Sequence, residues 1–170
     1  MNVSLRPPTS TDYTLIASWI PDAQTCFRWA GPRVSFPFSA SELPQVLAIP
    51  GGESYCLTDG GSEPLGFGQH WPRADGTVHL LRVIVSPTLR GRGFGRELCN
   101  QLIARALEFG GADTVTLNVC RDNSAAIALY ESLGFARAGS KSSGESLFMR
   151  LSASSFSGAH SALEKDNASG

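Results

Sequence analysis

Arg90-Gly91-Arg92-Gly93-Phe94-Gly95-Arg96 lies between an almost wholly apolar run at residues 77–85 and a segment in which Phe94, Leu98, Leu102 and Ala106 recur on one helical face. The run contains Val78, Leu80, Leu81, Val83, Ile84 and Val85 and reads as a central strand covered on both faces. The recurrence reads as an amphipathic helix, so the glycines form a strand-to-helix turn. Three alternate glycines remove side chains that would shield backbone N–H groups, and those donors meet the positive end of the helix dipole. The turn therefore reads as a pocket for phosphate oxygens, the simpler alternative being a tight turn and nothing more. Two familiar nucleotide loops do not fit. Gly95 is followed by Arg96-Glu97 rather than Lys-Ser or Lys-Thr, and one residue rather than two separates Gly93 from Gly95.

Charge singles out the same stretch. The chain has 170 residues, with 14 basic and 15 acidic side chains and a formal net charge of -1. Residues 76–96 hold Arg82, Arg90, Arg92 and Arg96 and no acid, so this segment carries +4 against -5 for the remainder. The near-neutral total argues against nucleic acid or an anionic membrane as partner, while the local excess points to a small anionic ligand. With 42% hydrophobic and 17% charged residues the chain is expected to bury one ordinary core. It shows no secretory leader and no 18-residue apolar run, so a soluble, cytoplasmic protein is expected. Cys26, Cys56, Cys99 and Cys120 are scattered singly without metal-type spacing, which predicts free thiols and no metal.

Outward from the glycine turn, residues 3–6 alternate as a first strand, and residues 13–20 predict a helix capped at Thr11 or Asp12. Residues 21–38 form a Pro- and aromatic-rich connection, and Ser39 with Glu42 makes a capping-box pattern for a second helix to about residue 49. Strands follow at 54–58, 65–71 and 77–85, separated by Asp59-Gly60-Gly61 and Asp75-Gly76 turns. Beyond the helix that begins at Phe94 come a strand at 114–119, a helix at 123–133 and two further strands within 135–150. The order β-α-α-β-β-β-α-β-α-β-β predicts one α/β (α+β) domain over residues 1–151, with about four helices on a mixed sheet of six or seven strands. Residues 152–170, rich in Ser, Ala and Gly, are expected to be a mobile tail.

Two segments together resemble the GNAT N-acetyltransferase superfamily. Its acetyl-CoA loop reads Arg/Gln-x-x-Gly-x-Gly/Ala, matched here by Arg90, Gly93 and Gly95. A second pattern, Asn-x-x-Ala-x-x-Leu-Tyr-x-x-x-Gly-Phe, is matched by Asn123, Ala126, Leu129, Tyr130, Gly134 and Phe135. The resemblance covers about 150 residues and implies an N-acetyltransferase that uses acetyl-CoA on a primary amine of a small molecule, an amino acid or a protein terminus, with monomer and homodimer both open.

By that resemblance, the N–H groups of Gly91, Arg92, Gly93, Phe94, Gly95 and Arg96, with the charge of Arg90, grip the pyrophosphate. The backbone of Val83, Ile84 and Val85 holds the pantetheine arm and supplies an oxyanion donor, and Asn123 either contacts the same arm or only caps its helix. Tyr130 is the expected general acid for the departing thiolate. The general base is less determined. In the branch that acetylates ribosomal protein termini a Glu stands where this chain has Asn118, and in histone-acetylating members a Glu stands where this chain has His79. His79 is therefore a candidate base, a satisfied core histidine or a bystander to a water chain. Phe27, Trp29, Phe36 and Phe38, with Arg28 and Arg33 beside them, are expected either to wall the acceptor site or to plug the sheet edge; such a wall suits a flat or carboxylate-bearing acceptor better than a polycation. Two other classes remain: an acyl-CoA-binding regulatory module without turnover, and a nucleotide binder, which the absence of Lys-Ser/Thr and of an acidic magnesium motif disfavours.

Overall fold

The computed structural model describes residues 1–156, and the remainder of the expected tail lies outside the described residues. Seven strands run in the order β1-β2-β3-β4-β5-β7-β6: β1 (Ser4–Arg6), β2 (Glu53–Thr58), β3 (Gly66–Pro72), β4 (Val78–Val85), β5 (Thr114–Cys120), β6 (Ala136–Arg137) and β7 (Ser146–Ser152). The mixed α/β class and the strand count are those expected, and against the expected count of about four helices the described residues form five: α1 (Ser10–Ser18), α2 (Ala23–Ala30), α3 (Leu43–Val46), α4 (Phe94–Gly110) and α5 (Ser124–Ser132). Among the described residues no helix is long and apolar enough to cross a membrane.

The chain divides into two compact units. The first comprises Met1–Trp71 and Leu80–Leu102. Here β1 pairs antiparallel with β2, Ser4 opposite Thr58, and β2 with β3, Glu53 opposite His70. Its core gathers Ile16, Trp19 and Ile20 around the first helix, Cys26 and Trp29 of α2, Leu43 and Leu47, and Phe67 and Ile84 of the sheet.

The extra helix, α2, falls inside the stretch read as a connection. Asp22 caps it by accepting from Thr25 N at 2.7 Å. Only Cys26 and Trp29 are buried on this helix, whereas Phe27 is 39% exposed, so an apolar residue on the wet face blurs the helical period. The first helix starts earlier than expected: Thr9 caps it, and Asp12 is the third residue of the capping box rather than the cap. The helix expected at 39–49 is shorter. Ser39 and Glu42 do form the capping box, but it opens a 3-10 turn at Ala40–Glu42 and only four residues of α3 follow.

The second unit comprises Pro72–His79 and the chain from Ile103. β5 and β7 pair antiparallel from Thr114 opposite Ser152 to Cys120 opposite Ser146, and β6 adds two residues to the other edge of β7. Beyond β7, Ala153 N donates to Asp113 O at 2.8 Å, and Phe156 is 3% exposed.

Close approach of α4 to β3 in the first unit depends on two glycines. A Cβ at Gly68 would lie 2.5 Å from Leu102 Cδ1, and one at Gly66 would lie 3.0 Å from both Ile84 O and Leu98 Cδ2. Leu98 and Leu102 are 0% exposed, so they have no free space to yield into. Gly68→Ala should cost about 1–3 kcal/mol by overpacking. Truncating the clashing partner relieves that strain, so urea denaturation of Gly68→Ala, Leu102→Ala and the double variant should show the double clearly less destabilised than the sum.

Candidate active site

The glycine turn begins where β4 ends. Pro87–Leu89 form a 3-10 turn, Arg90 is extended, and Gly91 and Gly93 take left-handed backbone, with φ of 77° and 88°. A side chain at Gly91 would meet nothing within 4 Å, so it is backbone conformation and not packing that demands glycine there. Left-handed residues alternating with ordinary ones produce the concave N–H arrangement that binds anions. Glu97 N donates to Gly93 O at 3.1 Å, the start of the α4 ladder, and the N–H groups of the first turn have no partner within their helix. Arg90 and Arg92 are exposed, and among the described residues neither has a carboxylate partner. The residues present fit the phosphates of a CoA-type ligand.

Val83, Ile84 and Val85 follow Arg82, which has φ of 53°. A left-handed non-glycine residue inside a strand is the backbone signature of a bulge. Trp29 Nε1 donates to Arg82 O at 2.8 Å, and the Trp29 ring meets Phe67 edge-on at 6.3 Å. The expected acceptor wall therefore divides: Trp29 is a core residue gripping the bulge, Phe38 packs against the core cluster, and Phe27 and Phe36 are exposed at 39% and 36%.

In the second unit, His79 is 7% exposed. Its Nδ1 is 2.8 Å from Thr116 Oγ1, and its Nε2 is 3.4 Å from Asn118 Nδ2. With the Asn118 amide nitrogen donating, Nε2 is the acceptor and Nδ1–H donates to Thr116 Oγ1, an arrangement that directs the basic lone pair at Asn118. The two positions weighed as alternatives for the base thus adjoin one another. His79 also lies nearly parallel to the Phe148 ring, at 6.4 Å. Burial, reinforced by Arg73 and Lys141 and opposed by Asp75, lowers its pKa from 6.5 to about 4.

Asn123 caps α5 by accepting from Ala126 N at 3.3 Å, so its capping role is met. Tyr130 sits on the buried face of that helix, 9% exposed and edge-on to Phe135 at 5.8 Å. Reading residues one at a time took Arg82 only as part of the basic stretch and missed Gln69 and Thr116. A lone charged residue in an otherwise apolar strand was the available signal for Arg82; nothing local marks the other two.

Residues 17–135 match the family model described as acetyltransferase (GNAT) family. The chain belongs to the acetyltransferase (GNAT) family. It is 47% identical over 62 residues to the N-alpha-acetyltransferase RimI of Mycobacterium tuberculosis, a match covering 36% of this chain and 35% of that protein. It is 50% identical over 56 residues to the ribosomal protein bS18-alanine N-acetyltransferase of Salmonella typhimurium, covering 33% and 37%. These matches span little more than a third of the curated relatives' length. The spermidine N-acetyltransferase of Vibrio cholerae, solved with CoA and spermine, shares the fold with a TM-score of 0.75 at 18% identity, over 91% of this chain and 97% of that one.

A histidine buried neutral makes stability acid-sensitive. Its folded pKa lies below the unfolded value, so between pH 6.5 and 4 the unfolded chain binds a proton that the folded chain refuses. Stability is lost as pH falls through this window, by roughly 3 kcal/mol for this one group. In urea denaturation at pH 7, 5 and 4, His79→Gln should lose less stability with acid than the parent, so the gap between them narrows.

Proposed function

We propose that the chain is an acetyl-CoA-dependent N-acetyltransferase, transferring the acetyl group to a primary amine of a small molecule, an amino acid or a peptide or protein terminus by direct attack in a ternary complex. The observation that carries this reading is the left-handed turn at Gly91 and Gly93 feeding the N-terminus of α4, flanked by Arg90 and Arg92, which have no carboxylate partner among the described residues. In a chain of this family, such an anion cradle suits the pyrophosphate of CoA.

The proton movements follow from the chemistry of the side chains. A protonated amine, of pKa about 10, must lose a proton before it can attack. His79 Nε2, held as the acceptor nitrogen by the bond from Nδ1 to Thr116, is the group we assign to receive that proton, directly or through water. Its low pKa keeps it unprotonated at neutral pH. Tyr130 is assigned as the acid that protonates the leaving sulfur. Backbone N–H groups of residues 83–85 are assigned to the developing oxyanion, and Phe27, Phe36 and Phe38 to the acceptor side, with Trp29 supporting the strand. Four free cysteines suit a reducing compartment, and we place the enzyme in the cytoplasm.

Release of free thiol from acetyl-CoA across a panel of amines tests the activity; thiol release with no amine, or none with any, overturns it. Tyr130→Phe keeps the ring and deletes the proton, so kcat should fall about 100-fold or more with the KM for acetyl-CoA little changed. Gly93→Ala forces a methyl-bearing residue to φ of 88° and should raise that KM about tenfold with a smaller effect on kcat.

A further inference from the structure

Arg82 combines three features that do not otherwise belong together. Its backbone is left-handed, at φ 53°, where an arginine is about 1–2 kcal/mol less favourable than a glycine. Its guanidinium is half-buried, and both of its protein hydrogen bonds fall on one nitrogen: Nη1 donates to Leu47 O at 3.1 Å and to Gln69 Oε1 at 2.9 Å. Among the described residues no acid pairs with it, and Nε and Nη2 have no partner. Burial lowers its pKa, and the charged group acting on it, a second cation, Arg33, lowers it further. Arg33 is itself exposed and, among the described residues, has no carboxylate partner.

Two neutral oxygens orient the guanidinium without neutralising it. Gln69 is in turn fixed, its amide nitrogen donating to Leu47 O at 2.8 Å and to Ser54 Oγ at 2.9 Å, so the arrangement is rigid before any ligand arrives. The edge formed by Nε and Nη2 has the spacing of a carboxylate and matches it bidentately.

We propose that Arg82, assisted by Arg33, binds the carboxylate of the acceptor, so that the substrate is a small amino-bearing carboxylic acid rather than a polyamine or other polycation. The inference rests on the N-acetyltransferase reading and narrows it to a substrate class. Arg82 supplies two parallel N–H donors to the carboxylate and takes no part in proton transfer. An amine lacking the acid would meet an unpaired cation instead of a partner, which disfavours it.

The test pairs free amino acids, including β- and γ-amino acids, with their carboxamides, and adds spermidine as a carboxylate-free polycation. With acetyl-CoA and the full chain, at least one acid should exceed its own amide by tenfold or more in kcat/KM. Arg82→Gln and Arg82→Gly should bring that ratio near one through the acceptor KM, leaving the KM for acetyl-CoA unchanged. Glycine suits the left-handed backbone, so the second variant remains informative should the first fold poorly; Arg33→Gln, at an exposed position, should reduce the ratio partially. Equal or better use of amides or spermidine by the parent, or a ratio unchanged in Arg82→Gly, overturns the proposal. If no amine is acetylated, the enzymatic reading fails separately, and calorimetric titration with N-acetylated amino acids and their amides still decides: saturable binding of the acids that is lost in Arg82→Gly supports the carboxylate site, and its absence in the parent sinks it.

Discussion

The hydrogen bond from Trp29 Nε1 to Arg82 O, 2.8 Å long, joins the helix that closes the first unit's core to the residue at which β4 leaves regular extended backbone. A carbonyl displaced by a bulge has lost its ladder geometry and must find another donor or remain a buried orphan. The indole supplies that donor while its ring fills the core against Phe67. Residues 83–85 leave the bulge in the direction it sets, the glycine turn follows, and α4 starts at Phe94. Gly66 and Gly68 then let Leu98 and Leu102 of α4 pack against the sheet at a distance that larger residues would forbid. The glycine turn is thus held from both sides, by the bulge at one end and by the packed helix at the other.

Much of this was legible in the sequence because the relevant signals are local. The glycine turn declares itself through composition, and its left-handed backbone follows from the residue type. The second motif, from Asn123 to Phe135, falls on a capped helix with Tyr130 on its buried face. Hidden features depend on partners far along the chain. Trp29 looked like one member of an aromatic wall, yet its N–H reaches a carbonyl 53 residues away. Burial of Trp29 alongside exposure of Phe27 cannot be read from two aromatics spaced by one residue; it needs the helix, and the helix was masked because its dry face carries only Cys26 and Trp29. Pairing of His79 with Thr116 and Asn118 likewise needs the strand register, which single-chain periodicity does not fix.

Thr116 and Asn118 together set the surroundings of His79 without adding a charge. With Asn118 in place of a carboxylate, no acid stands at that position to take a proton. Asn118 instead donates toward His79 Nε2, and Thr116 accepts from Nδ1–H, which fixes the ring tautomer and leaves the basic nitrogen on the side of the exposed residue. Burial penalises the charged form of His79, so the neutral ring is the resident form.

His79 and Arg82 lie three residues apart on one strand and solve the same electrostatic problem in opposite ways. Both are basic side chains withdrawn from water with cations near them: Arg73 and Lys141 for the histidine, partly opposed by Asp75, and Arg33 for the arginine. Histidine escapes by giving up its proton, and its pKa of about 4 leaves it neutral at pH 7. Arginine has no such escape, since even a lowered guanidinium pKa stays far above neutrality. Its charge must persist, and a persistent half-buried charge is costly unless an opposite charge meets it. A purely structural residue at this bulge would do better as glycine for the backbone or as a neutral side chain for the bonds to Leu47 and Gln69. An arginine satisfies neither economy, and the remaining advantage it has over those residues is the fixed positive edge it presents.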